Sequence, residues 1–123
     1  QMADNLACMK NFEGLTASER ETLRLAQEKL AEIPLIPGTT CDYCAKVCPK
    51  DIGISGTFTA MNVLTLYSNL EGALGQESWL VGGHGKQPAT ECIECGLCEN
   101  ACPQHISIRN ELKRSHAALH PAE

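Results

Sequence analysis

Cys92-Ile93-Glu94-Cys95-Gly96-Leu97-Cys98-Glu99-Asn100-Ala101-Cys102-Pro103 sets four cysteines at gaps of two, two and three residues and closes on a proline. A shorter run, Cys41-Asp42-Tyr43-Cys44-Ala45-Lys46-Val47-Cys48-Pro49, precedes it. The two form an internal repeat. Cys41, Cys44, Cys48 and Pro49 align with Cys95, Cys98, Cys102 and Pro103, and Ile52 and Ile54 with Ile106 and Ile108. In the same alignment the first cysteine of the longer run, Cys92, falls on Gly38.

Three thiolates at two-residue gaps let one loop curl around a [4Fe–4S] cubane and reach three of its iron corners. The cysteine three residues further on points away and, in two-cluster domains, ligates the other cluster. The spacing therefore predicts crossed ligation. Cys92, Cys95 and Cys98 are expected to hold one [4Fe–4S] cluster, A, with Cys48 arriving from the first run. Cys41 and Cys44 are expected to hold a second, B, with Cys102 arriving from the second run. Cluster B lacks a thiolate at Gly38, so it is expected as [4Fe–4S] or [3Fe–4S]. Cys8, outside both runs, is a candidate fourth ligand, although a lone cysteine is more commonly a small buried hydrophobe. Ile52, Ile54, Ile106 and Ile108 read as apolar walls around the clusters. His105 is a candidate hydrogen-bond partner near cluster B, or an ordinary surface or cap residue.

Competing readings of the cysteines are weaker. Zinc takes four ligands in two pairs and leaves three of the seven run cysteines without a role. A secreted disulfide scaffold calls for a signal peptide, and the opening Gln1-Met2-Ala3-Asp4 has no charged-then-apolar pattern. A cytoplasmic location is expected. The 123 residues are one domain's worth, 43% hydrophobic but only 4% aromatic, so the apolar core is modest and the metal is expected to help hold the fold. A net charge of −5 argues against nucleic-acid or anionic-membrane binding. No stretch approaches the roughly 20 apolar residues of a membrane span. Gly82-Gly83-His84-Gly85 lacks both the strand–glycine–helix context of a dinucleotide site and the lysine of a P-loop. No carboxylate or histidine pair stands at catalytic spacing.

The rest of the chain reads as helices. Residues 1–14 show no clear period. Thr16 with Glu19, or Ser18 with Glu21, fits a capping box, and Leu23, Ala26, Leu30 and Ile33 follow at spacings of three and four. These predict an amphipathic, core-facing helix over 17–32, ending before Pro34. Further helices are expected over 57–70, 71–81 and, capped by Ser107, 108–119. Period-two alternation is scarce, so a sheet is not expected. Arg109, Lys113 and Arg114 read as a solvated helix face, and Glu94 and Glu99 as solvent-facing. The fold class expected is all-α: a helical ferredoxin-like domain around two iron–sulfur sites, with a leading amphipathic helix.

The second run, through Gln104-His105-Ile106, resembles the C-terminal ferredoxin-type domain of an iron–sulfur branch of the bacterial and archaeal aldo/keto reductases. Gln1-Met2-Ala3-Asp4-Asn5-Leu6, Phe12, Leu15-Thr16 and Glu19 resemble the segment that follows that family's barrel. Cys41-Asp42-Tyr43-Cys44 and Leu66-Tyr67-Ser68-Asn69 continue the likeness, which covers nearly the whole chain. The resemblance implies a fragment: residues 1–16 a linker after an absent N-terminal reductase barrel, residues 17–123 the two-cluster domain. It implies the same seven ligands, Cys41, Cys44, Cys48, Cys92, Cys95, Cys98 and Cys102. Those relatives usually carry a cysteine where this chain has Gly38. None of the barrel's catalytic residues is present.

The expected function is relay of single electrons through two clusters, between a redox protein partner and the reductase barrel of the same polypeptide. The fragment alone is expected not to be catalytic. One alternative is a structural or docking module in which the metal only stabilises the fold. Another is a carrier subunit of a larger dehydrogenase complex.

Overall fold

The computed structural model describes residues 1–10 and 12–121, and divides into two compact units, Gln1–Ile33 and Pro34–Glu123.

The first unit holds α1 (Met2–Lys10) and α2 (Ala17–Ala31). The capping box at Thr16 starts α2. The Thr16 amide donates to Glu19 Oε2 at 2.8 Å and the Glu19 amide donates to Thr16 Oγ1 at 3.3 Å. Exposed pairs one turn apart, Arg24 with Glu21 and Glu28 and Lys29 with Glu32, support it from outside. Within this unit α1 covers no face of α2, none of whose residues is buried. Two helices of nine and fifteen residues offer each other too little surface to cover a stripe. Helix α1 has no counterpart in the sequence expectations. Its apolar residues, Met2, Leu6 and Met9, lie at helical spacing but are all exposed.

The second unit contains α3 (Tyr43–Lys46), α4 (Ile54–Tyr67), α5 (Leu70–Leu80), α6 (Leu97–Asn100) and α7 (Ile108–Leu119), with 3-10 turns at Gly82–His84 and Ala89–Glu91. It is all-α. Among the described residues the only strand-like pairing is a parallel bridge, Ile52 to Gln87. Helix α4 is central and packs on α5 and α7, while the short helices α3 and α6 pack on each other. The approach of α4 to the end of α5 is close because Gly53 and Gly56 carry no side chain there. A Cβ at Gly53 would lie 2.8 Å from Val81 Cγ2. The core around Ile36, Ile52, Ile54, Phe58, Ile108 and Leu112 includes Cys98 and Cys102, with Cys44, Cys48 and Cys92 packed against it. Five of the seven run cysteines thus belong to the core or pack on it.

Candidate iron–sulfur site

The internal repeat is a repeat of backbone shape. Three pairs of aligned residues adopt left-handed φ: Thr40 and Glu94 (54° and 56°), Asp42 and Gly96 (58° and 79°), Asp51 and His105 (51° and 53°). Five of these six are not glycine, and Thr40 is β-branched, so the conformation costs free energy that the surrounding loops must offset. The hydrogen bonds repeat as well. The Cys48 amide donates to the Ala45 carbonyl and the Cys102 amide to that of Glu99, both at 3.2 Å; the Asp51 amide donates to Cys48 and the His105 amide to Cys102, both at 3.1 Å. Each run therefore makes a left-handed turn into a single helical turn, carries its last cysteine out of that turn, and reverses just after the proline.

Two cavities result. Each is lined by both runs. Cys41, Cys44 and Cys102 line the first, together with Gly38, Ile106 and Ile108. Cys48, Cys92, Cys95 and Cys98 line the second, together with Ile52 and Ile54. The apolar residues change partners with the cysteines: Ile106 and Ile108 follow Cys102, and Ile52 and Ile54 follow Cys48. Cys8 is exposed on α1, in the other unit. His105 is exposed.

The fit of these cavities to a cluster rather than an ion is geometric. A zinc site draws four ligands to about 2.3 Å of one point. Among the described residues no three Cys, His, Asp or Glu side chains converge closely enough to hold an ion. The thiols instead surround an open volume with apolar walls, as a cubane with an iron at each of four corners requires. In each cavity desolvation raises the pKa of one cysteine, the partly buried Cys44 in the first and the buried Cys98 in the second. Burial pushes Cys44 up to about 11, opposed by the Ala45 amide donating to its sulfur. Burial likewise raises Cys98, opposed by the Glu99 amide, the counterpart of Ala45. Metal loading must expel those protons. The same amides are aimed at sulfur that becomes anionic when it binds metal.

The charges around the cavities are not symmetric. Asp42 lines the first cavity, with its carboxylate accepting from Ser55 Oγ at 2.6 Å, and no lysine or arginine lines it. Lys50 and Arg109 line the second, and no carboxylate does. Their counterparts in the repeat are neutral: Gly96 for Asp42, Gln104 for Lys50, Ser55 for Arg109. Arg109 is fixed in place by Glu99, which accepts from its amide at 2.9 Å, its Nε at 3.0 Å and its Nη2 at 2.8 Å. Lys113 donates to Glu94 at 2.7 Å. Arg109 holds the Glu99 carboxyl below the usual carboxylate range, and Lys113 does the same for Glu94. The expectation of a merely solvated cationic face is corrected: these side chains tie α7 to the second cysteine run. The pairings span ten and nineteen residues, which local sequence spacing does not display.

Two repeat-related, cysteine-lined cavities in an all-α frame define a ferredoxin-type iron–sulfur protein. The model of the 4Fe-4S dicluster domain family matches residues 38–107, more than half of the chain, and the chain belongs to that family. No curated protein and no solved structure matches it. The family's two [4Fe–4S] clusters correspond in number to the two cavities.

Proposed function

We propose that this domain relays single electrons, with Cys48, Cys92, Cys95 and Cys98 holding one cluster and Cys41, Cys44 and Cys102 holding the other. The observation that carries this reading is that each cavity draws cysteines from both runs, in the sets the crossed spacing groups together. Bound there, each cubane supplies a one-electron couple. The chain's own residues do the rest. Ile52, Ile54, Ile106 and Ile108 keep water from the sulfurs. Cys41 and Cys95 are exposed, which gives each cavity a cysteine at the surface for electrons to enter or leave. Asp42 disfavours added negative charge in the first cavity, and Lys50 and Arg109 favour it in the second. An electron arriving through the first cavity is drawn toward the second.

The likeness of residues 1–19 and of the cysteine runs to the iron–sulfur aldo/keto reductases supports a reading in which this relay follows a reductase barrel of the same polypeptide. On that reading residues 1–16 are the segment leading out of the barrel and 17–123 the relay. A separate redox protein exchanges electrons with it, in the cytoplasm, where thiols stay reduced. Among the described residues no helix is long and apolar enough to cross a membrane.

Anaerobic potentiometry with iron and sulfide analysis tests the reading. About eight irons with two reversible one-electron steps support it. Clusters that no accessible potential reduces reversibly favour a purely structural role. Zinc without sulfide removes the reading altogether.

A further inference from the structure

We propose that the cluster of the first cavity is held by three protein thiolates only, and that its fourth iron is a binding site for a small anionic donor, a low-molecular-mass thiolate, entering past Gly38. The inference rests on the ligand sets proposed above. The repeat pairs the cysteines of the two runs one for one except here. Cys92 lines the second cavity, and its counterpart Gly38 lines the first, at the place where the fourth sulfur belongs.

What surrounds Gly38 supplies no replacement. A Cβ at Gly38 would lie 3.3 Å from Phe58 Cδ2, so a buried aromatic ring, itself 4% exposed, occupies the inner side. The one carboxylate lining the cavity, Asp42, is engaged by Ser55 Oγ at 2.6 Å. The Thr40 hydroxyl donates to the Thr39 carbonyl at 2.7 Å. On the outer side Gly38, Thr39, Thr40 and Gln104 are all exposed, and Gln104 Nε2 reaches Thr39 Oγ1 at 3.4 Å. The corner facing Gly38 is thus walled by a ring within and rimmed by neutral polar groups toward solvent. A thiophilic iron at that corner would take its last ligand from outside; the rim at Gly38, Thr39, Thr40 and Gln104 is uncharged, and the soft thiolate–iron bond has to outweigh the repulsion from Asp42, the one carboxylate of the lining.

The test uses the full chain loaded anaerobically with iron and sulfide, with cyanide and 2-mercaptoethanol as probes and electron paramagnetic resonance of the reduced protein as readout. The expected result is that each probe shifts the signal of one cluster of the two, in wild type, Cys8→Ala and Gly38→Ala alike, and that Gly38→Cys abolishes the shift. Gly38→Ala adds the same Cβ without sulfur and so separates crowding of Phe58 from ligation. If Gly38→Cys loads poorly, the Phe58→Leu background makes room for it. Two intact clusters in wild type with no response to either probe would overturn the proposal while leaving the relay standing. So would a response that survives Gly38→Cys, or one that appears only after Cys8→Ala, which would make Cys8 the ligand. A chain that takes up no iron–sulfur cluster removes both the relay reading and this inference.

Discussion

Asn62 holds Ile36 by both of its backbone groups: the Ile36 amide donates to Asn62 Oδ1 at 2.8 Å, and Asn62 Nδ2 donates to the Ile36 carbonyl at 2.9 Å. The segment that leads into Gly38 and the first cysteine run is thereby fastened to α4, with the Ile36 side chain buried beneath it. Asn62→Ala leaves a donor and an acceptor without partners, at a cost of about 1–3 kcal/mol. The loss should fall on the first cavity. Chelator challenge of the loaded variant is expected to bleach one of the two clusters first, at a rate above wild type, and thermal unfolding should shift down. Equal sensitivity of both clusters would show that the Asn62 clamp does not serve the first cavity in particular.

The potentials of the two clusters should differ in a fixed order. Charge near a cluster sets how readily it accepts an electron, and the second cavity has cations where the first has a carboxylate. Arg109→Gln removes a positive charge and leaves Glu99 uncompensated, so the higher of the two potentials should fall. Asp42→Asn should raise the lower one. With Arg109 41% exposed, solvent screening holds the shift to the order of tens of millivolts. Potentiometric titration of the two variants reads this directly, and a shift of the other couple in either variant would reverse the assignment of charges to cavities.

Gly53→Ala should cost about 1–3 kcal/mol, the usual range for forcing a methyl into a packed contact. The new Cβ meets Val81 Cγ2 at 2.8 Å and Cγ1 at 2.9 Å, and Val81 is stiff and 4% exposed. Alanine also caps a helix less well than glycine, so propensity gives nothing back at this N-cap. In a Val81→Ala background the penalty should shrink, because the clashing methyls are gone. Additive losses in the thermal denaturation of the double variant would place the strain elsewhere.

The cysteine cavities were legible in the sequence because metal ligation fixes spacing, and the spacing repeats. The α2 boundaries were legible for a similarly local reason, the Thr16–Glu19 box ahead of an apolar period. Helix α4 begins at Ile54, three residues before the expected Thr57, so that Ile54, read in the sequence as a cluster wall, also starts the helix. What the sequence hid is long-range. Asn62 looks like any polar residue on a helix, and nothing local ties it to Ile36. Arg109 and Glu99 read as separate surface charges until α7 folds back over the second run. An apolar period such as that of α2 records that a face exists, and not what covers it.

Crossed ligation is the central claim, and paired cysteine variants test it most directly. Cys48→Ser and Cys95→Ser, each loaded with iron and sulfide, should perturb the same component of the reduced electron paramagnetic resonance spectrum, and Cys102→Ser and Cys41→Ser should perturb the other. That is the pattern expected if Cys48 serves the second cavity and Cys102 the first. If Cys48→Ser instead alters the component altered by Cys41→Ser, and Cys102→Ser that altered by Cys95→Ser, each run holds its own cluster and the account is wrong.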